Sequence, residues 1–291
     1  MQPAIDQSST MPRDNAEQKA YWNGEAGLRW TRRQEMQDAI LAPISNIVID
    51  RAAVAACESV IDIGCGCGAT SIVLAKQVGE AGRVLGVDIS TPMLARARER
   101  TSDCGQLSFA EADATEYPFE PGRTDLLFSR FGVMFFADPP VSFANMRLAL
   151  RTGGRLVFVC WREPKLNPWL IAPLQAAYKH VPRLPEMSPD APGPFAFASQ
   201  ARVRDILASA GFADICLEPC DLKLDLAAGH GLDMAVDTAL SIGPASRALD
   251  GQPSERRAAA VETIRETLAA VQIGQTVPLD AAVWIVTARN S

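Results

Sequence analysis

The stretch VIDIGCGCGAT, residues 60–70, decides the fold. Val60–Ile63 is a short apolar run interrupted only by Asp62. It passes straight into a turn carrying Gly64, Gly66 and Gly68. An apolar run of this length closed by glycine reads as a buried parallel strand. The glycines let the backbone approach a ligand closely, because no Cβ intervenes. N–H groups at the start of the following helix are placed to receive an anion. Gly64-x-Gly66-x-x-Ala69, with Asp88 beyond the next strand, also satisfies a dinucleotide loop. The loop alone therefore leaves its ligand open.

Outward from this turn the chain alternates. Residues 70–78 carry Ile72, Ala75 and Val78 near helical spacing, and RVLGVDI (83–89) is a second strand. Ser90 or Thr91 caps the next helix, with Pro92 in its first turn and Met93, Leu94 and Ala97 as its inner stripe. LSFAEAD (107–113) and DLLFSR (125–130) are strands three and four. Asp138 caps a helix with Pro139 at its first position, and a Thr-Gly-Gly turn leads into RLVFVCW (155–161), strand five. A helix follows over 199–210, closed by Gly211, then strand six near 214–222 and a last strand over 281–288. Strands alternating with helices predict right-handed βαβ units and a sheet covered on both faces.

Two segments break the alternation. Residues 162–198 are proline-rich, and residues 225–278 are helical by composition. Segments leaving the carboxyl edge of a parallel sheet commonly cover its ligand crevice. The expected organisation is an N-terminal aromatic lid over 1–40, loose to about residue 18, and an α/β domain over 41–291. Cap insertions are expected near 162–198 and 225–278.

Bulk properties exclude several classes. The net charge of −6 and pI near 5.1 argue against a phosphate-backbone binder, so no nucleic-acid partner is expected. Seven scattered cysteines form no secreted disulfide framework. The polar start MQPAIDQSST has no apolar core of a signal peptide, and no uncharged run approaches membrane-spanning length. The expectation is a cytoplasmic protein without a membrane partner.

The ordered set VIDIGCGCG, VLGVDIS, EADATEYPF and RLALRTGGRLVFV resembles the class I S-adenosylmethionine (SAM)-dependent methyltransferases. Within them it is most similar to the small-molecule group around the ubiquinone and menaquinone C-methyltransferases. The likeness covers residues 60–161, with a weaker echo through 199–217. It implies a doubly wound, Rossmann-like α/β sheet of seven mostly parallel strands, the last antiparallel, with a helical cap. It also implies SAM as cofactor, S-adenosylhomocysteine as product, and a small-molecule acceptor methylated by in-line displacement.

The resemblance assigns candidate cofactor contacts residue by residue. The loop glycines Gly64, Gly66 and Gly68 approach the cofactor, and Asp88 accepts from the ribose hydroxyls. Asp113 and the Ala114 backbone read the adenine, flanked by Ile89 and Met93, which read equally as core. Asp62 orients the loop and the cofactor ammonium, or serves as a structural acceptor. The Ser129 carbonyl faces the same ammonium. Arg130 binds an anionic substrate or pairs with a surface acid. Tyr21, Trp22 and Trp30 resemble an aromatic lid whose ring faces favour a sulfonium, or they are a hydrophobic staple onto the core.

Other signals lead away from the site. ADPP (137–140) lacks the aromatic of a base-methylating box and reads as a helix cap. Cys65-x-Cys67 inside a glycine turn is a poor tetrahedral site, so no metal is expected. His180 and His230, the two histidines, are weak candidates for a general base. Two rival functions stand: a non-catalytic SAM-binding or regulatory protein, and an NAD(P)-dependent oxidoreductase. The latter lacks a Tyr-x-x-x-Lys pair, because Glu25, Pro121 and Pro182 follow the three tyrosines at that spacing.

Overall fold

A computed structural model describes residues 15–101, 104–186, 188 and 190–291. The stretch read as loose lies outside these residues up to position 14. The helices and strands are, in chain order, α1 (Ala16–Asn23), α2 (Glu25–Arg32), α3 (Gln34–Ala52), β1 (Ser59–Ile63), α4 (Ala69–Val78), β2 (Arg83–Asp88) and α5 (Thr91–Glu99). There follow β3 (Leu107–Glu111), β4 (Thr124–Arg130), α6 (Pro139–Ala149), β5 (Leu150–Trp161), α7 (Pro168–Ala177) and α8 (Gln200–Ser209). The chain ends with β6 (Ala213–Asp225), α9 (Leu232–Ser241), α10 (Gly243–Leu249), α11 (Ser254–Ala269) and β7 (Pro278–Arg289).

The seven strands form one sheet in the order β3-β2-β1-β4-β5-β7-β6. β1 to β5 pair in parallel, and β7 runs antiparallel to both β5 and β6. The expected doubly wound, seven-stranded arrangement with a reversed last strand is what the chain adopts. Strand order changes direction between β1 and β4. Right-handed crossovers therefore place α4 and α6 on opposite faces and open a crevice at the carboxyl ends of these two strands.

Local chemistry explains the elements around that crevice. Burial of the inner strands is nearly complete: Val60, Leu126, Leu127, Phe128 and Phe158 are almost fully enclosed. Phe143 of α6 packs on Phe158 and Phe197 with ring centroids 5.7 and 6.1 Å away. The α6 start is set by Asp138, whose side chain accepts from the Val141 N–H, with proline at the first turn. The ADPP sequence is thus a helix cap. Ser199 caps α8 in the same way, accepting from Arg202 N–H.

Two expectations differ from the structure. The Thr-Gly-Gly sequence is no separate turn before strand five, because β5 starts at Leu150 and carries these residues as a wide bulge. Asn290 folds the bulge into the sheet: Gly153 N–H donates to its carbonyl at 2.7 Å, and its own N–H donates to the Gly154 carbonyl at 2.9 Å. Helix α3 was not foreseen at all. Its buried Ile40, Leu41, Ile44, Val48 and Ile49 recur at helical spacing, and it runs unbroken past residue 40 despite Pro43. α7 packs on α10 and α11, so residues 162–198 and 225–278 share one helical layer.

Candidate functional site

A cleft at the carboxyl ends of β1, β2 and β4 holds about 920 Å³, part of it open to solvent. Its floor is backbone. Gly64 (φ +65°) and Gly132 meet so closely that a Cβ on Gly64 would sit 2.5 Å from Gly132 Cα. A Cβ on Gly132 would sit 2.6 Å from the Ile63 carbonyl oxygen. Ser129 Oγ donates to that same carbonyl at 2.7 Å and accepts from Gly132 N–H at 3.2 Å. The β1 and β4 exits are thereby locked side by side. Gly132, missed in the sequence, is as much a part of the loop as Gly64. Its only sequence signal was a glycine two residues past a strand end.

Asp88 links this floor to β2. One carboxylate oxygen accepts from Gly66 N–H at 2.8 Å and the other from Ser90 N–H at 2.9 Å. Burial raises its pKa, and these backbone donors oppose the rise. Each oxygen keeps a further lone pair, and Asp88 lines the cleft, where ribose hydroxyls could donate. Gly66 at φ +55° leaves room that a Cβ would take from the Met93 methyl, 2.7 Å away.

Asp62 is fully buried on β1. One oxygen accepts from Thr70 Oγ1 at 2.7 Å and Ser71 Oγ at 2.6 Å, and the other, Oδ1, has no hydrogen-bond partner. Burial pushes its pKa up to about 6, against the pull of Ser71, Thr70 and Arg130. A buried carboxylate oxygen without a donor is costly, yet Asp62 is fully buried and is not among the residues that line the cleft. The cradle that a Cβ would fill at Gly64, Gly66 and Gly132 fits the close approach of a nucleoside.

Asp113 and Ala114 line the cleft with Ile89 and Met93, as do Trp22, Trp30 and Arg130. Asp113, however, is engaged by the N-terminal segment: Asn15 Nδ2 donates to both its oxygens at 3.0 and 2.9 Å, and Lys19 Nζ lies 3.6 Å away. Asn15 Oδ1 in turn accepts from Ala137 N–H at 2.8 Å. Asn23 makes a second tie, accepting from Thr91 N–H at 2.9 Å and donating to the Ile89 carbonyl at 2.8 Å. Neither asparagine was singled out in the sequence, because each acts on residues far along the chain.

Several candidates fall outside the cleft lining. Gly68 (φ +79°) starts α4 and packs against Ala97 and Phe109. Ser129 is buried beneath the floor. Tyr21 is exposed and meets Trp22 edge-on at 5.2 Å. Trp22 itself sits edge-on to Phe135 at 5.2 Å and to Trp30 at 6.2 Å. His180 bonds Thr263 Oγ1 at 2.7 Å at the end of α7, and His230 is exposed on a loop. No described residue of 162–198 or 225–278 contributes to the lining; the cover comes from α1, α2 and α3. Cys65 and Cys67 do line it, but burial holds both thiols protonated, Cys67 up to about 11.

Comparison with known proteins decides what kind of domain holds this cleft. Residues 60–154 match the family model described as a methyltransferase domain. All the strands and loops that build the cleft floor lie within that match. Demethylmenaquinone methyltransferase of Staphylococcus aureus is 34% identical over 106 residues, which are 36% of this chain and 44% of that protein. A protein of transposon TN4556 from Streptomyces fradiae is 39% identical over 100 residues, 34% of this chain and 29% of its own length. The chain thus matches less than half the length of these relatives. Among solved structures, the YcgJ protein of Bacillus subtilis matches 85% of the chain and 98% of its own, with TM-score 0.56 and 16% identity. Phosphoethanolamine N-methyltransferase 2 of Haemonchus contortus, solved with SAM, matches 94% of the chain and 60% of its own, with TM-score 0.57 and 17% identity. These likenesses concern the fold.

Neither His180 nor His230 lines the cleft. His180→Ala and His230→Ala are expected to leave S-adenosylhomocysteine affinity within twofold, read by calorimetry. His180→Ala loses the Thr263 bond, at a cost of about 1 kcal/mol in thermal or denaturant unfolding. A tenfold affinity loss in either variant would restore a histidine to the site.

Proposed function

We propose that this protein is a SAM-dependent methyltransferase acting on a small, moderately apolar acceptor. One observation carries the reading: the Gly64–Gly66 backbone, the Asp88 carboxylate and the Phe131–Gly132 backbone converge on one cleft inside the matched domain. When bound, SAM supplies a methyl group already activated on a sulfonium. The chain's own residues bind, orient and exclude water. Asp88 holds the ribose, with charge-assisted hydrogen bonds of about 1.5–3 kcal/mol each. The Gly64–Gly66 backbone lets the thioether end reach the β4 exit. Trp22, Trp30 and Phe135 close the cleft, and their ring faces favour a cation. Leu41, Phe131 and Phe135 leave the acceptor chamber apolar.

Among the described residues, the lining holds no histidine, lysine or tyrosine. Its work is therefore positioning, which can supply ~7–11 kcal/mol when nucleophile and methyl are held in line. An acceptor whose nucleophile is already competent suits such a site. Of the segment 1–40, the described residues 15–40 serve as the lid in this reading, and the protein acts in the cytoplasm without nucleic acid. No helix among the described residues is long and apolar enough to cross a membrane.

The test is calorimetric titration with S-adenosylhomocysteine and, separately, NADH, followed by acceptor screening with labelled SAM. Micromolar binding of the first alone supports the reading. Binding of NADH alone overturns it in favour of an oxidoreductase. Binding of S-adenosylhomocysteine without turnover on any acceptor favours a regulatory binder.

The Asp62 carboxylate adds a pH signature. Its pKa near 6 in the free protein means that a proton competes with the cofactor ammonium below pH 6. Affinity for S-adenosylhomocysteine should therefore fall about tenfold from pH 7.5 to pH 5, since proton competition scales with the protonated fraction. Asp62→Asn should bind more weakly at pH 7.5 and lose most of this slope. An unchanged slope in the folded variant would remove Asp62 from the cofactor site.

A further inference from the structure

Helix α1 covers the cleft with little apolar hold. None of its residues is buried, and its apolar anchor is half-buried Trp22, edge-on to Phe135. Polar ties keep it down instead. At its far end Asn23 accepts from Thr91 N–H at 2.9 Å and donates to the Ile89 carbonyl at 2.8 Å, and Ser90 Oγ donates to the Trp22 carbonyl at 2.7 Å. Just before its first turn, Asn15 Nδ2 donates to both Asp113 oxygens at 3.0 and 2.9 Å and to Thr115 Oγ1 at 3.3 Å. Asn15 Oδ1 accepts from Ala137 N–H at 2.8 Å. Asn15 and Asp113 are 6% and 9% exposed, so this contact is shielded while the helix behind it is not. A segment with few buried apolar contacts opens at low free energy.

Asp113 has little acceptor capacity left. The two oxygens of a carboxylate offer about four lone-pair sites. Asn15 Nδ2 takes one on each oxygen, and Thr115 N–H takes the second on Oδ1 at 2.9 Å. The last belongs to Oδ2, with Lys19 Nζ 3.6 Å away. An adenine amino group therefore meets a carboxylate that is already served. The Asn15 amide also has the same pattern as the group it would meet. A planar NH2 donor beside an acceptor is what the amino edge of adenine presents. Both side chains, Asn15 and Asp113, line the cleft.

We propose that α1 is an autoinhibitory strap: the Asn15 amide stands in for the adenine amino group on Asp113, and the cofactor must displace it to bind. This rests on the methyltransferase reading, with Asp113 as the purine acceptor. The exchange replaces one neutral amino donor by another on the same carboxylate, so the cofactor gains little there until the strap lets go. Asn23 and Trp22 lie about two helical turns further along α1 and hold that end while the Asn15 end lifts. The strap also selects its ligand. A nucleoside that cannot donate to Asp113 leaves Asn15 in place.

The experiment compares two ligands by calorimetry, S-adenosylhomocysteine and S-inosylhomocysteine, in which an oxo group replaces the amino group of the purine. Wild type should prefer the first at least threefold. Asn15→Ala removes the stand-in and should bind S-adenosylhomocysteine at least fivefold more tightly, with S-inosylhomocysteine changed less than twofold. Asn15→Ser is too short to span both Asp113 oxygens and the Ala137 N–H. It should gain in the same direction, and it carries the test if the alanine variant does not fold. A folded variant that binds S-adenosylhomocysteine no more tightly, or that gains equally on both ligands, overturns the strap. Wild type without a preference for the amino purine overturns the strap alone, because Asp113 then does not read that group. Wild type binding neither ligand overturns the methyltransferase reading beneath it.

Discussion

Asp88→Ala is expected to weaken S-adenosylhomocysteine binding about ten- to hundredfold in a protein that still folds. Two effects act together. The ribose loses an ionised acceptor at the end of β2. The Gly66 and Ser90 N–H groups also lose the oxygens that hold them at 2.8 and 2.9 Å, so the glycine loop is less firmly set before any ligand arrives. Relief of a half-buried charge, whose pKa burial raises, offsets part of the structural loss. The variant should therefore lose affinity more than stability. Asp88→Asn retains one acceptor oxygen and should fall between wild type and the alanine variant. Calorimetry with parallel thermal unfolding separates the two quantities. A folded Asp88→Ala protein that binds within threefold of wild type would move the ribose away from β2.

Which parts of this site could be read from the chain follows from the range of the forces involved. Asp62, Gly64, Gly66 and Asp88 lie within one strand–turn–helix–strand unit, where spacing dictates position. The cap at Asp138 was equally local, needing only the adjacent prolines and the helix behind them. The contacts that finish the site span the chain. Asn15 reaches Asp113 across 98 residues, Arg130 reaches Ser45 across 85, and Gly132 meets Gly64 only because β4 lies beside β1. No local pattern encodes such pairs.

The cap shows a different limit. Composition correctly marked 225–278 as helical, but only packing decides where those helices sit. Arg33 bonds Thr238, and Arg29 lies 3.6 Å from Asp250, so the layer touches α2 and its exit rather than the cleft lining. Helix α3 was missed although its pattern is local. Its apolar positions recur every three to four residues, and Pro43 was the one feature that spoke against it.

Gly132→Ala should have the largest effect of any single methyl group added to this protein. The new Cβ would lie 2.6 Å from the Ile63 carbonyl oxygen and 2.7 Å from Gly64 Cα. Both are backbone atoms, so no side chain can turn aside. The β4 exit must move off the β1 exit instead. Overpacking of this kind costs about 1–3 kcal/mol of stability. The same movement breaks the Ser129 bracket, in which Oγ joins Ile63 to Gly132, and it displaces the loop that Asp88 holds. A misplacement of about 1 Å at a positioned site costs on the order of a hundredfold, and S-adenosylhomocysteine affinity should fall by at least that factor. Gly122→Ala is the control: at φ +66° it carries a left-handed backbone penalty that Gly132 lacks, yet its Cβ would meet nothing within 4 Å. It should lower stability through the backbone alone and leave affinity untouched. If Gly132→Ala instead behaves like Gly122→Ala, the two exits can separate without consequence, and the ligand does not rest on the floor they make. If affinity falls while the control holds, the contact between two glycines 68 residues apart is what shapes the cleft.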